Sequence, residues 1–165
     1  MTRVEPFRIR AARLPEDKPA ILRFILGMQH FEKAIEPDRR IDPAVEEESY
    51  AAITERVAKR NGRILIAESA SGKALGWAAA LEDEQEIYVL AEERTYGYIA
   101  ELYVIEEARG QGVGRALIAA CEDWARDRGL KVMLIGVLAR NARAHAVYGG
   151  AGFDDYVTLL RKYLR

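Results

Sequence analysis

A glycine-rich turn between a predicted strand and a predicted helix constrains the fold of this chain more than any other feature. Residues 98–105 are rich in aromatic and β-branched side chains, which favours a strand. Residues 113–128 repeat apolar side chains at helical spacing. Between them, Gly110, Gly112 and Gly114 predict a tight turn whose backbone N–H groups are not covered by β-carbons.

This turn is suited to binding a phosphate or a pyrophosphate. The N-terminus of the following helix carries a partial positive charge, and Arg109 and Arg115 add full charges. It matches neither common phosphate motif, because no Gly-Lys-Ser/Thr triplet follows and Arg115 stands where the dinucleotide fingerprint needs glycine. On this segment alone, the alternative is an ordinary strand-to-helix turn with solvated arginines.

A second polar segment follows the next apolar run. Asn141 can cap the helix that begins there, and Tyr148 lies two turns further along on nearly the same face. The same pattern includes Ala144 and continues to Gly152 and Phe153. The phenol of Tyr148 could donate a proton into a cleft between strands, and a packing role is the alternative.

Together, the two segments resemble the GNAT family of acyl-CoA-dependent N-acetyltransferases. The family pattern begins with Arg or Gln, has Gly three residues later and ends on Gly or Ala, and Arg109, Gly112 and Gly114 match it. The spacing from Asn141 to Tyr148 matches the family's following strand and helix. The close match covers about residues 98–153, a third of the chain.

The order of the predicted elements also fits that family's fold. The chain is predicted to be an α/β protein, with a central mixed, mostly antiparallel sheet of six to seven strands and about four flanking helices. Its length fits a single domain over residues 1–165. Strands are predicted at 7–11, 63–68, 74–81, 98–105, 131–138 and 153–163, and helices at 15–31, 44–60, 113–128 and 142–148.

The resemblance implies acetyl-CoA as the cosubstrate. The backbone of residues 102–104 would bind the pantetheine arm and polarise the thioester carbonyl. Asn141 would contact the pantetheine or hold the separated strands, and Tyr148 would protonate the departing thiolate. The residues implied in binding acetyl-CoA are Leu102, Tyr103, Val104, Arg109, Gly110, Gln111, Gly112, Val113, Gly114, Arg115, Asn141, Ala144 and Tyr148.

An amine acceptor must lose a proton before it attacks, because alkyl amines are mostly protonated at pH 7. Glu101 is the candidate base, since it stands on the strand that would line the acetyl group. Strand alternation places Glu101 on the same face as Tyr103. A solvated or cross-strand-paired glutamate is the alternative, and Asp83, Glu84 and Glu86 in the preceding loop are further candidate bases.

Few residues suit a metal or a covalent nucleophile. Cys121 is the only cysteine and lies on the apolar stripe of its helix, so it is predicted to be buried in the core. His30 and His145 are the only histidines and are expected at the surface or at helix ends. For His30 the alternative is a place near the acceptor, because the resemblance implies that the end of the first helix borders the acceptor pocket. No metal site is predicted.

Two acidic segments are expected near the acceptor. Residues 31–50 hold seven acids and three bases, and residues 82–93 hold six acids and no base. An acidic rim would attract a cationic amine, and solubility is the alternative explanation.

The predicted function is therefore acetyl transfer from acetyl-CoA to a primary amine, and a small cationic amine is favoured. A protein N-terminal or lysine acetyltransferase and a non-catalytic CoA-binding sensor are the alternatives.

The net charge and the hydropathy of the chain disfavour some classes of partner and location. The formal net charge of −1 disfavours a nucleic-acid-binding protein. No apolar stretch approaches the roughly 18 residues of a membrane-spanning helix, and residues 1–10 lack a signal-peptide core, so a cytoplasmic location is expected. The resemblance also allows a homodimer, because members of the family are often dimers. The final predicted strand could pair across the interface.

Overall fold

Five strands form one mixed sheet in the order β1-β2-β3-β4-β5. The computed structural model describes residues 5–164. The first three pairs of neighbouring strands are antiparallel, and β4 and β5 are parallel. The strands are β1 (Phe7–Ala11), β2 (Arg63–Ser69), β3 (Ala74–Glu84), β4 (Thr95–Val104) and β5 (Met133–Ile135). The predicted mixed, mostly antiparallel α/β architecture is confirmed.

Helices cover both faces of this sheet, because its central strands carry apolar side chains on both faces. On one face, α4 buries the predicted stripe of Leu117, Ile118, Cys121 and Trp124 against β2, β3 and Ile99 of β4. On the other face, α1 and α2 pack over Trp77 and its neighbours. The helices are α1 (Lys18–Lys33), α2 (Val45–Lys59), α3 (Ala91–Arg94), α4 (Val113–Asp127) and α5 (Ala142–Gly149).

A glycine in α1 brings that helix close to β4. A β-carbon at Gly27 would lie 2.5 Å from the hydroxyl oxygen of Tyr103, so a larger residue would have to displace the ring of Tyr103. Phe24, one turn earlier, packs its ring 6.0 Å from that of Tyr103. This close approach places the last turns of α1 over the second half of β4.

The C-terminal part of the chain differs from its prediction. Residues 153–163 form no strand, so the sheet has five strands instead of six to seven, and β5 has three residues instead of the eight predicted at 131–138. A strand needs a partner edge as well as a suitable pattern, and within residues 5–164 nothing pairs with the outer edge of β5. The one-turn helix α3 was not predicted.

Two further observations concern the expected location. Within residues 5–164, none of the helices combines the length and the hydropathy that a membrane crossing requires. In the N-terminal stretch 1–10, which lacks a signal-peptide core, residues 1–4 lie outside the described residues.

Candidate functional site

A cavity of about 670 Å³ opens where β4 and β5 separate. β4 pairs with β5 only from Gly97 to Ile99, whereas it pairs with β3 as far as Val104. The backbone of residues 100–104 is therefore free of strand partners on the β5 side, where these residues line the cavity. A free strand edge of this kind can hydrogen-bond an extended ligand as if it were a further strand.

The glycine turn forms one end of the cavity. Gly112 caps α4 with a φ of +86°, a conformation that L side chains rarely adopt, and no side chain caps this helix end. The first N–H groups of a helix have no acceptor within the helix. Since Gly110, Gly112 and Gly114 all line the cavity, the uncapped end of α4 opens into it and is suited to an anion.

The two arginines of the turn also line the cavity, and both contact protein groups. Arg109 donates from Nε to the carbonyl oxygen of Val104 at 2.9 Å, and its guanidinium stacks 5.2 Å from the ring of Phe31 and 5.4 Å from that of Tyr103. Arg115 donates from Nη2 to the carbonyl oxygen of Gly150 at 3.2 Å. Arg109 therefore joins the end of β4 to α1 as well as placing positive charge at the turn.

Most of the predicted site residues come together around this cavity. Two do not line it: Gln111 donates its side-chain amide to the carbonyl of Glu107, and the side chain of Val113 is buried in the core below α4. The predicted residues that line the cavity are Glu101, Leu102, Tyr103, Val104, Arg109, Gly110, Gly112, Gly114, Arg115, Asn141, Ala144 and Tyr148.

A β-bulge decides which way Glu101 faces. Ala79 of β3 pairs with Glu101, and the next residue, Ala80, pairs with Ile99, so Ala100 is an extra residue on β4. Ile99 packs on the α4 side of the sheet, whereas Tyr103 packs on the α1 side. The bulge thus reverses the alternation and places Glu101 on the face of Tyr103, below α1, as the alternation from Tyr103 predicted.

The carboxylate of Glu101 is buried without a partner. Its Oε2 atom has no hydrogen-bond partner among residues 5–164. Burial and, to a smaller extent, the nearby charge of Glu32 raise the pKa of Glu101 to about 7, although Arg56 opposes them. A carboxyl group that titrates near neutral pH can accept a proton at pH 7 and release it to water.

Tyr148 faces the same cavity from α5. Asn141 caps this helix by accepting a hydrogen bond from the backbone N–H of Ala144 at 3.1 Å, as its position predicted. The ring of Tyr148 packs edge-to-face on Phe153 at 6.2 Å. Burial raises the pKa of Tyr148 to about 12, so the phenol stays protonated and can donate a proton.

The other candidate bases lie away from the cavity. Asp83, Glu84 and Glu86 do not line it, and Asp83 forms ion pairs with Arg56 and Arg60. The predicted burial of Cys121 is confirmed, and burial raises the pKa of its thiol to about 12, which disfavours the nucleophilic thiolate.

Ion pairs neutralise most of the first acidic segment and part of the second. Glu32 pairs with Arg39, and Glu36 pairs with both Arg140 and Arg161. In the second segment, Glu82 pairs with Arg128. The first segment is therefore a network of ion pairs more than a free acidic rim, and two of its arginines, Arg140 and Arg161, are distant in the sequence. In the second segment, the other paired acid among residues 5–164 is Asp83.

Sequence reasoning missed the residues that α1 contributes. Met28, Gln29, Phe31 and Glu32 all line the cavity opposite β4. Their apolar members belong to a helical stripe, which indicated a buried face but not which strand that face covers. Gly27 was the available signal, because a glycine inside a helix is often required by a close contact.

Comparison with known proteins relates this geometry to a family. The profile of the Acetyltransferase (GNAT) family matches residues 28–153, a range that contains β4, the glycine turn and α5. Two curated relatives are type 1 aminoglycoside N(6')-acetyltransferases. The protein from Stenotrophomonas maltophilia is 29% identical over 103 residues, which are 62% of this chain and 67% of that protein. The protein from Klebsiella aerogenes is 38% identical over 99 residues, which are 58% and 62%. The chain thus spans about two thirds of the length of these relatives.

A solved structure extends the comparison to nearly the whole chain. AAC(6')-Iy in complex with the bisubstrate analogue CoA-S-monomethyl-acetylneamine superposes with a TM-score of 0.67 at 18% identity, over 98% of this chain and 99% of that one. At this identity the likeness concerns the fold. Since the family profile covers well over half of the residues, the chain belongs to the acetyltransferase (GNAT) family, whose members are acyltransferases that use acetyl-CoA.

Proposed function

We propose that this protein transfers the acetyl group of acetyl-CoA to a small cationic primary amine. The observation that carries the proposal is one continuous cavity with two chemically different ends. One end is the uncapped N-terminus of α4 with Arg109 and Arg115, and the other end holds the buried carboxylate of Glu101. The free edge of β4 connects them.

The residues at the first end fit the groups of acetyl-CoA. The turn from Gly110 to Arg115 would hold the pyrophosphate, because its N–H groups and two guanidiniums supply positive charge. The backbone of Leu102, Tyr103 and Val104, which has no strand partner on the cavity side, would hydrogen-bond the pantetheine arm as an added strand through the groups that Arg109 leaves unoccupied. Asn141 and Ala144 form the opposite wall. When bound, acetyl-CoA supplies an activated acyl group.

The residues at the second end would move protons. Glu101 would accept a proton from the incoming ammonium at its buried Oε2, leaving a neutral amine. Tyr148 would donate the proton of its hydroxyl group toward the sulfur, and its high pKa ensures that this proton is present. The net reaction forms the C–N bond of the amide, breaks the C–S bond of the thioester, leaves one proton on the thiol and releases one to solvent.

An amine acceptor is supported by the relatives. Two of them are named as aminoglycoside N(6')-acetyltransferases, and the structural neighbour binds a bisubstrate analogue that joins CoA to an acetylated amine. A small acceptor is supported by the cavity, since a ligand enclosed by α1 and β4 reaches Glu101 more readily than a folded protein surface would. Acetylation of a protein N-terminus or lysine, and a CoA-binding sensor, are the alternatives.

Thiol release from acetyl-CoA tests the proposal. Wild-type protein would be assayed with kanamycin, spermidine, free lysine and two peptides, one offering its N-terminus and one a lysine side chain. We expect release with at least one small cationic amine and little with the peptides. Release with peptides alone would favour protein acetylation. Binding of CoA without release for any amine would favour the sensor, and tighter calorimetric binding of NAD or ATP than of CoA would contradict the cosubstrate.

A homodimer, which the sequence left open, is also proposed, on different grounds. Residues 153–164 have no regular secondary structure and carry exposed apolar side chains, among them Val157, Leu159 and Leu160. A second copy would cover them.

A further inference from the structure

Glu32 lies over the same end of the cavity as Glu101 and Tyr148. It stands in the last turn of α1, its side chain is 23% exposed, and it lines the cavity. Glu101 and Tyr148, the two groups proposed to move protons, line the same cavity, and the charge of Glu32 raises the pKa of both. Nothing in the sequence pattern had distinguished it from the other acids of residues 31–50.

The carboxylate of Glu32 is held in a fixed orientation. Arg39, in the segment after α1, donates from Nε to Oε2 at 2.8 Å. This bond uses one carboxylate oxygen and restrains the side chain of Glu32, which lines the cavity. The guanidinium of Arg109, stacked on Phe31, fixes the neighbouring part of the same helix turn.

The carboxylate of Glu101 lacks the partner that such a buried group needs. A buried polar atom without a hydrogen bond is unfavourable, and native proteins keep few of them. Since Glu101 lines the cavity, a ligand bound there can supply the missing donor to its carboxylate. An ammonium group has three donors and a positive charge, and it would satisfy both carboxylates at once.

We propose that Glu32 and Glu101 together form the subsite that binds the ammonium group of the acceptor. Glu32 is the anchoring carboxylate that attracts and holds the cation, and Glu101 is the carboxylate that then takes its proton. This assignment rests on the proposed acetyl transfer to an amine. It adds to that proposal the residue that selects for charge, so amines that are cationic in water are preferred over neutral ones.

The pairing of Glu32 with Glu101 affects how kcat/KM depends on pH. The charged groups that act on Glu101 are Glu32 from α1, which raises its pKa, and Arg56 from α2, which lowers it. The tyrosines lining the same cavity are Tyr103 on β4 and Tyr148 on α5. Removing the charge of Glu32 lowers the pKa of Glu101, so the acidic limb of the kcat/KM profile moves to lower pH.

Glu32→Gln is the first variant for testing the subsite. With whichever of kanamycin, spermidine or lysine the wild type acetylates, we expect the KM for the amine to rise about tenfold. The KM for acetyl-CoA is expected to stay within about twofold, because Glu32 lies at the acceptor end, and the acidic limb is expected to move to lower pH. Glu32→Asp keeps the charge and is expected to leave the limb near its wild-type position.

Glu122→Gln is the matched control. Glu122 also pairs with an arginine, Arg126, and its side chain is 28% exposed, but it lies on the outer side of α4, away from the cavity around Glu101. It is expected to change none of these constants by more than about twofold. A thermal unfolding midpoint close to that of the wild type would establish that Glu32→Gln folds.

The outcomes separate the two proposals. If the wild type acetylates none of the amines, the proposed function fails. If the wild type is active and Glu32→Gln leaves both the amine KM and the acidic limb unchanged, the subsite assignment is wrong. It is also wrong if Glu32→Asp and Glu32→Gln have the same effects, because the role of Glu32 would then be steric.

Discussion

At the scale of single residues, Glu101 determines the predicted pH dependence of the reaction. It accepts a proton only when ionised, so kcat/KM is expected to rise with pH through its pKa of about 7. Glu101→Gln removes the base, and we predict a loss of about 10²–10⁴-fold in kcat/KM at pH 8, together with loss of the acidic limb. Steady-state kinetics between pH 5.5 and 9 check this, with the exposed Glu55→Gln on α2 as control.

The same residue is predicted to affect stability in the opposite direction. The pKa of Glu101 is raised by folding, so the folded state favours the protonated form, and this stabilisation is present below the unfolded pKa of about 4.5 and lost as the pH rises through 7. Glu101→Gln keeps the neutral form at every pH. We therefore expect the variant to unfold at a higher temperature than the wild type at pH 8, and the difference to narrow at pH 5. If the wild type and the variant melted at the same temperature at pH 8, the prediction would be wrong. The ionised carboxylate of Glu101 would then be well solvated in the folded protein despite its burial.

Tyr148 is the other residue with an assigned proton. Tyr148→Phe keeps the ring that packs on Phe153 and removes only the hydroxyl group. Because a thiolate is a good leaving group, we predict a moderate fall in kcat, about tenfold, with the KM for acetyl-CoA nearly unchanged. An unaltered kcat in stopped-flow measurements of the chemical step would exclude Tyr148 as the proton donor.

At the scale of elements, the turn between β4 and α4 is predicted to control cosubstrate binding. Gly112→Asp forces an L side chain into a φ of +86° and puts a negative charge where the pyrophosphate would bind. We expect calorimetry to detect no CoA binding by this variant.

Gly72→Asp is the matched control for that substitution. Gly72 lies in the turn between β2 and β3, has a φ of +85° and, like Gly112, has no atom within 4 Å of an added β-carbon. The two variants therefore carry similar backbone strain and the same charge, and comparable losses of stability are expected. If Gly72→Asp also lost CoA binding, the effect at Gly112 would reflect general destabilisation and not the turn.

The elements also differ in how far the sequence predicts them. β4, the glycine turn and α4 were predicted within a few residues, because glycine φ angles and the apolar stripe of α4 are local properties. The bulge at Ala100 was not predicted, since it depends on the register with β3. The strand expected at residues 153–163 did not form, because a strand requires a partner and its own alternation does not supply one.

At the scale of the whole molecule, the site depends on contacts between distant parts of the chain. Glu101 could be named from its strand, but Glu32 could not, because its approach follows from the packing of α1 on Tyr103 across Gly27. Likewise, the acidic segments were visible in the sequence, whereas the arginines that neutralise them, such as Arg140 and Arg161, come from the other half of the chain. Local patterns thus identified the chemistry of β4 and α5, and tertiary packing determined what surrounds it.

The exposed C-terminal segment leads to a prediction about assembly. Leu159, Leu160 and Leu164 are 93%, 89% and 89% exposed, which is unusual for large apolar side chains of a monomer. The hydroxyl group of Tyr156 donates a hydrogen bond to Oε1 of Gln85 and so restrains the start of this segment, ahead of the exposed apolar side chains. The outer edge of β5 is also open among the described residues. An edge strand and an unpaired apolar segment in the same molecule favour pairing between two copies.

We therefore expect the protein to form a homodimer of twice its 18.6 kDa, measured by light scattering or sedimentation equilibrium. The double variant Leu159→Ser with Leu160→Ser removes apolar area from the segment and should shift the equilibrium toward monomer at micromolar concentration. Lys162→Ser lies in the same segment and changes no apolar contact, so it should leave the dimer intact. A monomeric wild type at 100 μM would mean that these side chains stay in water, and their exposure would then have no role in assembly.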